Sequence, residues 1–259
     1  MPRVLHGLLL GLAVALAVPA QAMQCSAQSG PRTAALVELY TSEGCDSCPP
    51  ADRWLSALGS RGYGTAQVVP IALHVDYWDY IGWKDPFAKA AFSARQRKLA
   101  QAQRARIVYT PQVLLQGEDF RAWGGAEFDR AVARINATPA LARIALRVDA
   151  GAKAAFRVEV EAGLATAVSA ADAQLYLASY ENKLVSAVSS GENRGRTLQH
   201  DFVVFEWIGP LAFDPRGRLA ERRVLPLLPK AVARNSGVVA FVQSRSTARV
   251  LQALMLPLC

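Results

Sequence analysis

The chain has 259 residues, 52% of them hydrophobic, and carries a formal net charge of +8 at pH 7. That hydrophobic content is enough for a packed core and excludes an intrinsically disordered chain. The Lys and Arg residues are scattered without interleaved aromatic residues or a known nucleic-acid motif, so the charge indicates a solvated surface and we expect no nucleic-acid partner.

Residues 1–22 have the pattern of a cleaved signal peptide. Arg3 gives a positive start, an apolar stretch covers 8–18, and the Ala-Gln-Ala motif at 20–22 is typical of a cleavage site. An apolar run of about 11 residues is shorter than the roughly 18 to 20 that span a bilayer, which disfavours a membrane anchor. Lipid attachment at Cys25 is a lesser alternative, because no small residue directly precedes it. We therefore expect an exported protein, periplasmic or secreted, without stable membrane insertion after signal cleavage.

Residues 33–138 alternate between strand and helix patterns, which predicts an α/β domain. Apolar runs, helical periodicity and turn residues give the order βαβαββα, with elements at 34–40, 51–58, 67–75, 87–106, 113–115, 120–123 and 127–135. A strand, helix, strand order implies a parallel pair joined by a right-handed crossover.

The pattern changes after Thr138-Pro139, where short alternating runs replace helical periodicity. We place a domain boundary there and expect a mostly antiparallel β-domain, a sandwich, over 139–259. Turn-forming residues at 181–182 and 191–196 are typical of hairpin turns, and we assign no site to them.

The chain contains four cysteines, which in an exported protein favour disulfides and allow three pairings. Cys45 and Cys48 are separated by only two residues, so we expect them to pair with each other. Cys25 and Cys259 then remain at the two ends of the mature chain. We expect a structural disulfide between them, because the ends of compact folds often lie close together.

The Cys45-x-x-Cys48 spacing, between a buried strand and a helix, is typical of thiol–disulfide exchange. Helix N-terminal amides stabilise a thiolate, which makes Cys45 the expected nucleophile and Cys48 the resolving thiol. Because a residue before proline is pushed away from helical geometry, the helix is expected to start at Pro49 or Pro50 rather than at Cys45, which weakens that effect at Cys45. A disulfide that stays oxidised is the alternative. Zinc is disfavoured because no second matched pair of ligands is present, and we expect no metal and no cofactor.

The stretch 74–83 places aromatic residues and carboxylates at the C-terminal end of a predicted parallel strand, where ligands gather in such sheets. His74 and Asp76 are candidates to move protons to or from Cys48. Tyr77 and Trp78 are candidates to line an apolar groove for an extended partner. The alternatives are a satisfied core histidine and an aromatic cap that packs the second helix onto the sheet.

Thr110-Pro111 precedes the third predicted strand. A cis proline at this position would lie beside the dithiol, and Thr110 would pair with the backbone of a bound substrate chain. A trans proline that opens an edge strand is the alternative. The predicted topology leads us to expect the cis form.

Several strings of residues resemble a known family: 37–52 (VELYTSEGCDSCPPAD), 74–79 (HVDYWD), 109–112 (YTPQ), 191–203 and the closing 256–259. They are similar to the secreted thioredoxin-like family known as domain of unknown function 1223. The resemblance implies export, a thioredoxin-like fold, a C-x-x-C at Cys45 and Cys48, and Pro111 at the cis-proline position. It supplies no substrate. The Trp-Cys-Gly-Pro-Cys surroundings of thioredoxins are absent and the stretch 74–106 is longer, which leaves the redox direction open.

These features predict an exported thiol–disulfide oxidoreductase that acts on protein thiols or disulfides of the cell envelope. Cys45 attacks, a mixed disulfide forms, Cys48 resolves it, and Pro111 orders the backbone of the partner. Two alternatives remain open. A binding or assembly module would use the dithiol as a structural staple, and a copper-handling protein would use Cys45, Cys48 and His74, because soft thiolates with imidazole suit Cu(I).

Overall fold

A computed structural model of the chain describes residues 24–150, 155–228 and 231–259, and the predicted signal peptide at 1–22 lies outside the described residues. The helices are α1 Pro49–Ser56, α2 Ala90–Ala102 and α3 Ala126–Asn136, with 3-10 turns at Asp76–Ile81 and Ala233–Asn235. The strands are β1 Gln24–Gln28, β2 Ala35–Thr41, β3 Val68–His74, β4 Gln112–Leu115, β5 Glu118–Asp119, β6 Ala142–Ala150, β7 Ala155–Leu164, β8 Ala173–Glu181, β9 Leu184–Ala187, β10 Thr197–His200, β11 Val203–Ala212, β12 Arg218–Pro226, β13 Ser236–Ser244 and β14 Val250–Pro257. Among the described residues, no helix combines the length and the apolarity needed to cross a membrane.

Hydrogen bonding sorts the described strands into three sheets. The largest has the order β14-β13-β8-β11-β3-β2-β4-β5, in which β3 runs parallel to both β2 and β11. A four-stranded antiparallel sheet has the order β1-β6-β7-β12, and β9 and β10 form a separate hairpin. The described part of the chain is therefore mostly β, with 43% of its residues in strands and 18% in helices.

The predicted fold class, a thioredoxin-like βαβαββα domain followed by a separate β-domain, is wrong. The strands of 33–138 form no sheet of their own, because Val203 of β11 lies opposite Ala72 of β3 and continues the same sheet into β8, β13 and β14. Every residue of β3 is buried, so both of its backbone edges need hydrogen-bonding partners. The Ala72 amide finds one in the Phe202 carbonyl at 2.8 Å. Strands from both sides of residue 139 therefore share one sheet. Hydrophobic periodicity indicates that a strand is buried but not which strand pairs with its edge, so the sequence pattern did not predict this pairing.

The eight-stranded sheet curls around α2. Phe92 of α2 packs in a core with side chains from both halves of the chain, among them Ile71 and Phe241. The curl brings β14 back to the turn after β4, where the Val250 amide donates to the Gln116 carbonyl. One core therefore unites the first and second halves of the chain.

The four-stranded sheet packs against the opposite face of the large sheet. Along β13 the side chains alternate, so that Phe241 faces the core around α2 while Ala240 and Val242 face Val158 of the small sheet. A disulfide joins Cys25 of β1 to Cys259, just after β14, with Cα atoms 5.9 Å apart. It fastens an end of the small sheet to the last strand of the large one.

A buried cation lies inside the curl of the large sheet. Arg95 of α2 is 7% exposed and makes a two-pronged ion pair with Glu38 of β2, at 2.7 and 2.9 Å. The rings of Tyr176, Trp207 and Phe241 surround its guanidinium at 4.8 to 5.1 Å. Burial would lower the pKa of Arg95, but the Glu38 carboxylate, together with Tyr40 and Tyr176, outweighs burial and raises it, so the guanidinium stays charged.

Substitution of Glu38 should therefore destabilise the whole fold. Glu38→Gln leaves a buried guanidinium without its counter-charge, and we expect a loss of about 3 to 5 kcal/mol in the free energy of unfolding. Urea denaturation would measure it, with Glu118→Gln at an exposed glutamate as the matched control. Equal stability of the two variants would contradict the role assigned to the ion pair.

Candidate functional site

The dithiol lies at the junction between β2 and α1. The structure joins Cys45 and Cys48 in a disulfide with Cα atoms 5.5 Å apart, and Cys48 is the N-cap residue of α1. The helix thus begins after Cys48, because Pro49 fits the first helical position and lacks only a donor that the helix does not use there. Both cysteines are 0% exposed, whereas Asp46 and Ser47 between them are exposed.

Five buried ionisable residues surround the base of the dithiol loop: Glu43, Asp52, His74, Asp85 and His200. We call them the buried ionisable cluster. His74 Nδ1 lies 2.7 Å from Asp85 Oδ2, and His200 Nε2 lies 3.1 Å from Glu43 Oε1. The two imidazole rings meet edge to face with centroids 4.9 Å apart. Side chains from β3, α1, β10 and two loops therefore converge on one point.

The ionisable groups of the cluster shift one another's pKa values. Burial would lower the pKa of His74, but the neighbouring Asp85, with Asp52 and Glu43, outweighs burial and raises it. Burial would raise the pKa of Asp85, but the His74 imidazolium lowers it below its usual range. Burial raises the pKa of Asp52, and the two histidines offset only part of that rise. His74 and Asp85 thus form an ion pair, while Asp52 holds a proton more readily than an ordinary aspartic acid.

Three buried polar atoms of this region make no hydrogen bond within the described part of the chain: Thr41 Oγ1, His74 Nε2 and His200 Nδ1. The nearest acidic oxygen to His200 Nδ1 is Asp52 Oδ2, at 4.0 Å. Both histidines therefore use one ring nitrogen for a carboxylate, while the other ring nitrogen makes no hydrogen bond within the described residues.

A cavity of about 150 Å³ lies between α1 and β10. Buried Asp52 and His200 line its inner wall, and exposed Arg53, Thr197 and Gln199 line its rim. Because the rim residues are exposed, the cavity connects the buried ionisable cluster with the surface.

A loop from the second half of the chain covers the dithiol. We call residues 188–196, between β9 and β10, the covering loop. The side-chain amide of Asn193 is fully buried and donates to the carbonyls of Glu43 and Cys45 at 2.8 and 2.9 Å. Glu192 Oε2 accepts from the Asp46 amide at 3.1 Å. The segment to which no site was assigned from the sequence therefore contacts the dithiol loop directly.

The aromatic stretch after β3 divides between two locations. Trp78 packs beside the dithiol loop, since a Cβ atom on Gly44 would lie 3.2 Å from Trp78 Cβ, and its indole donates to Thr110 Oγ1 at 2.7 Å. The Thr110-Pro111 peptide bond is cis. Tyr77 turns instead towards α2, where its hydroxyl donates to Gln96 at 3.1 Å.

The two predicted proton carriers, His74 and Asp76, lie in different surroundings. His74 belongs to the buried ionisable cluster, whereas the Asp76 carboxylate accepts from the Ser93 hydroxyl of α2 and lies outside it. Of the cluster, sequence reasoning singled out only His74 as a site residue. Cys25 and Cys259 lie at the small sheet, apart from the cluster.

No group of three or more His, Cys, Asp or Glu side chains is arranged to hold a metal ion within the described ranges. The three residues considered for copper include Cys45 and Cys48, which are bonded to each other. His74 in turn is hydrogen-bonded to Asp85.

Comparison with known proteins gives a family and a shared fold. The crystal structure of a protein from Agrobacterium tumefaciens is 25% identical, with a TM-score of 0.61, and the match covers 88% of this chain and 96% of that one. HBP35 of Porphyromonas gingivalis is 14% identical, with a TM-score of 0.67 and coverage of 89% and 76%, which shows a similar fold only. None of the curated proteins matches this chain.

The family described as protein of unknown function (DUF1223) matches residues 36–243. That match spans most of the chain and confirms the family predicted from the sequence strings. The protein belongs to the DUF1223 family.

Proposed function

We propose that this protein carries out thiol–disulfide exchange on exported proteins through Cys45 and Cys48. The observation that carries the proposal is the Cys45–Cys48 disulfide flanked by two members of the buried ionisable cluster, Glu43 two residues before Cys45 and Asp52 four residues after Cys48. A disulfide between cysteines that are separated by only two residues tends to be readily reduced. Ionisable groups with shifted pKa values are found where proton transfer is needed. The two disulfides and the leader-like residues 1–22 support export to an oxidising compartment.

The exchange proceeds through a mixed disulfide. A thiolate of the partner protein attacks Cys45 Sγ, the Cys45–Cys48 bond breaks, and Cys48 leaves with the electron pair as a thiolate. A second partner thiolate then attacks the partner sulfur of the mixed disulfide and releases Cys45. The partner loses two electrons and forms a disulfide, and the Cys45–Cys48 pair gains them. The reverse sequence reduces a partner disulfide.

A structural staple is the second candidate, and the full burial of both cysteines favours it. Such a disulfide would hold β2 to α1 and take no part in exchange. The two candidates differ in whether a partner sulfur ever bonds to Cys45.

Replacement of the resolving cysteine should trap partners. In Cys48→Ser, the mixed disulfide on Cys45 cannot be resolved, so we expect covalent complexes with exported proteins that dissociate on reduction. Non-reducing electrophoresis of the cell envelope measures them, with Cys45→Ser as the matched control. Equal complex formation by the two variants, with Cys45 and Cys48 fully oxidised in the unmodified protein, would instead establish the structural staple.

The covering loop should limit how fast the dithiol reacts. Asn193→Ala removes two buried hydrogen bonds to the dithiol loop, worth about 1 kcal/mol each, so we expect dithiothreitol to open Cys45–Cys48 up to about thirtyfold faster. Alkylation and peptide mapping measure the rate, and the Cys25–Cys259 bond serves as an internal control. Arg194→Ala, at an exposed residue of the same loop, should leave the rate unchanged. An unchanged rate in Asn193→Ala would mean that the loop does not control access.

A further inference from the structure

The first turn of α1 gives little help to a thiolate at Cys48. Pro49 and Pro50 have no amide hydrogen, and the amides of Ala51 and Asp52 already donate to the Cys48 carbonyl, at 2.9 and 3.2 Å. The helix N-terminus therefore has few donors left for the sulfur. A thiolate formed here must be neutralised by a proton or by charge from elsewhere.

Asp52 is placed to supply that proton. It lies one turn after Cys48 in α1, and side chains four residues apart on a helix lie about 5 to 6 Å apart at their Cβ atoms. Both residues are buried, so they face the protein interior on the same side of the helix.

A route joins Asp52 to the solvent. His200 Nδ1 makes no hydrogen bond within the described part of the chain, lies 4.0 Å from Asp52 Oδ2, and belongs to a ring whose other nitrogen is held by Glu43. Asp52 and His200 also line the cavity that opens between α1 and β10. Protons can therefore reach the pair without crossing the packed core.

We infer that Asp52, relayed by His200, donates and accepts the proton of Cys48 when the disulfide opens and closes. The inference rests on the proposed exchange chemistry. When the Cys45–Cys48 bond breaks, the carboxylic acid of Asp52 transfers its proton to the Cys48 thiolate and becomes a carboxylate. The pair is reprotonated through the cavity. In the reverse direction the Cys48 thiol returns its proton to Asp52, and the resulting thiolate attacks the mixed disulfide.

The surroundings of Asp52 suit this exchange. Burial raises the pKa of Asp52, and the charges of His200 and His74 offset part of that rise. Asp85 adds a further rise. Glu43 faces the same histidines. Asp52 is therefore surrounded by histidines that favour its charged form and by carboxylates that oppose it.

The test is a titration of Cys48 that needs no partner protein. In Cys45→Ser, Cys48 is a lone thiol, and the ultraviolet absorbance of its thiolate reports its ionisation. Adding Asp52→Asn removes a negative charge and the coupled proton, so we expect the pKa of Cys48 to fall by about one unit, or about tenfold more thiolate at a given pH. Asp129→Asn, at a surface carboxylate of α3, is the matched control and should shift nothing.

His200→Gln in the same Cys45→Ser background gives a second, independent readout. It removes positive charge and leaves Asp52 in place, so the pKa of Cys48 should move upwards, opposite to Asp52→Asn. Thermal unfolding establishes that each variant is folded, and the His200 variant decides the question if Asp52→Asn does not fold. Titrations that superimpose on the Cys45→Ser parent would overturn the inference. Capture by Cys48→Ser tests the exchange function separately, so the two failures are distinguishable.

Discussion

A short parallel pairing between β3 and β11 determines where the site forms. Val203 lies opposite Ala72, and the Ala72 amide donates to the Phe202 carbonyl. Because β10 ends only three residues before Val203, this pairing fixes His200 near the end of β3, where its ring meets His74. The hairpin of β9 and β10 is thereby placed over α1, and the covering loop reaches the dithiol. Without that pairing, His200 and Asn193 would lie apart from the cysteines and from the other four cluster residues.

The buried ionisable cluster is a costly feature for a fold to maintain. Charges lose their hydration when buried, and a packed apolar cluster of similar size would often be at least as stable. Two of its carboxylates have close imidazole partners, His74 with Asp85 and His200 with Glu43. Asp52 has a looser contact, because its Oδ2 lies 4.0 Å from His200 Nδ1. A function that needs a movable proton beside Cys48 gives a physical reason for keeping this arrangement.

The sequence predicts local features of this molecule better than its assembly. The strand expected at 34–40 corresponds to β2, and the two prolines after Cys48 correctly moved the expected helix start, since α1 begins at Pro49. These features depend on neighbouring residues. The joining of both halves into one sheet depends on backbone hydrogen bonds between strand edges. Hydrophobic patterns describe side chains only, so they do not indicate which edges pair.

The same limit applies to the site. Cys45 and Cys48 stand out by their spacing, but Asn193 and His200 reach the dithiol loop from 148 and 157 residues away along the chain. A lone histidine and a Gly- and Asn-rich turn carry no local signal for such contacts. Only the pairing of β3 with β11 brings them in, so sequence reasoning had no means of including them.

The redox equilibrium of Cys45 and Cys48 tests the central claim most directly. The purified protein would be equilibrated with glutathione buffers of graded potential, and the state of each disulfide read by alkylation and mass spectrometry. Exchange chemistry predicts that Cys45–Cys48 opens within the range that glutathione buffers reach, at potentials well above about −300 mV, while Cys25–Cys259 stays closed. A Cys45–Cys48 bond that remains oxidised down to about −300 mV, as structural disulfides of secreted proteins do, would contradict the account.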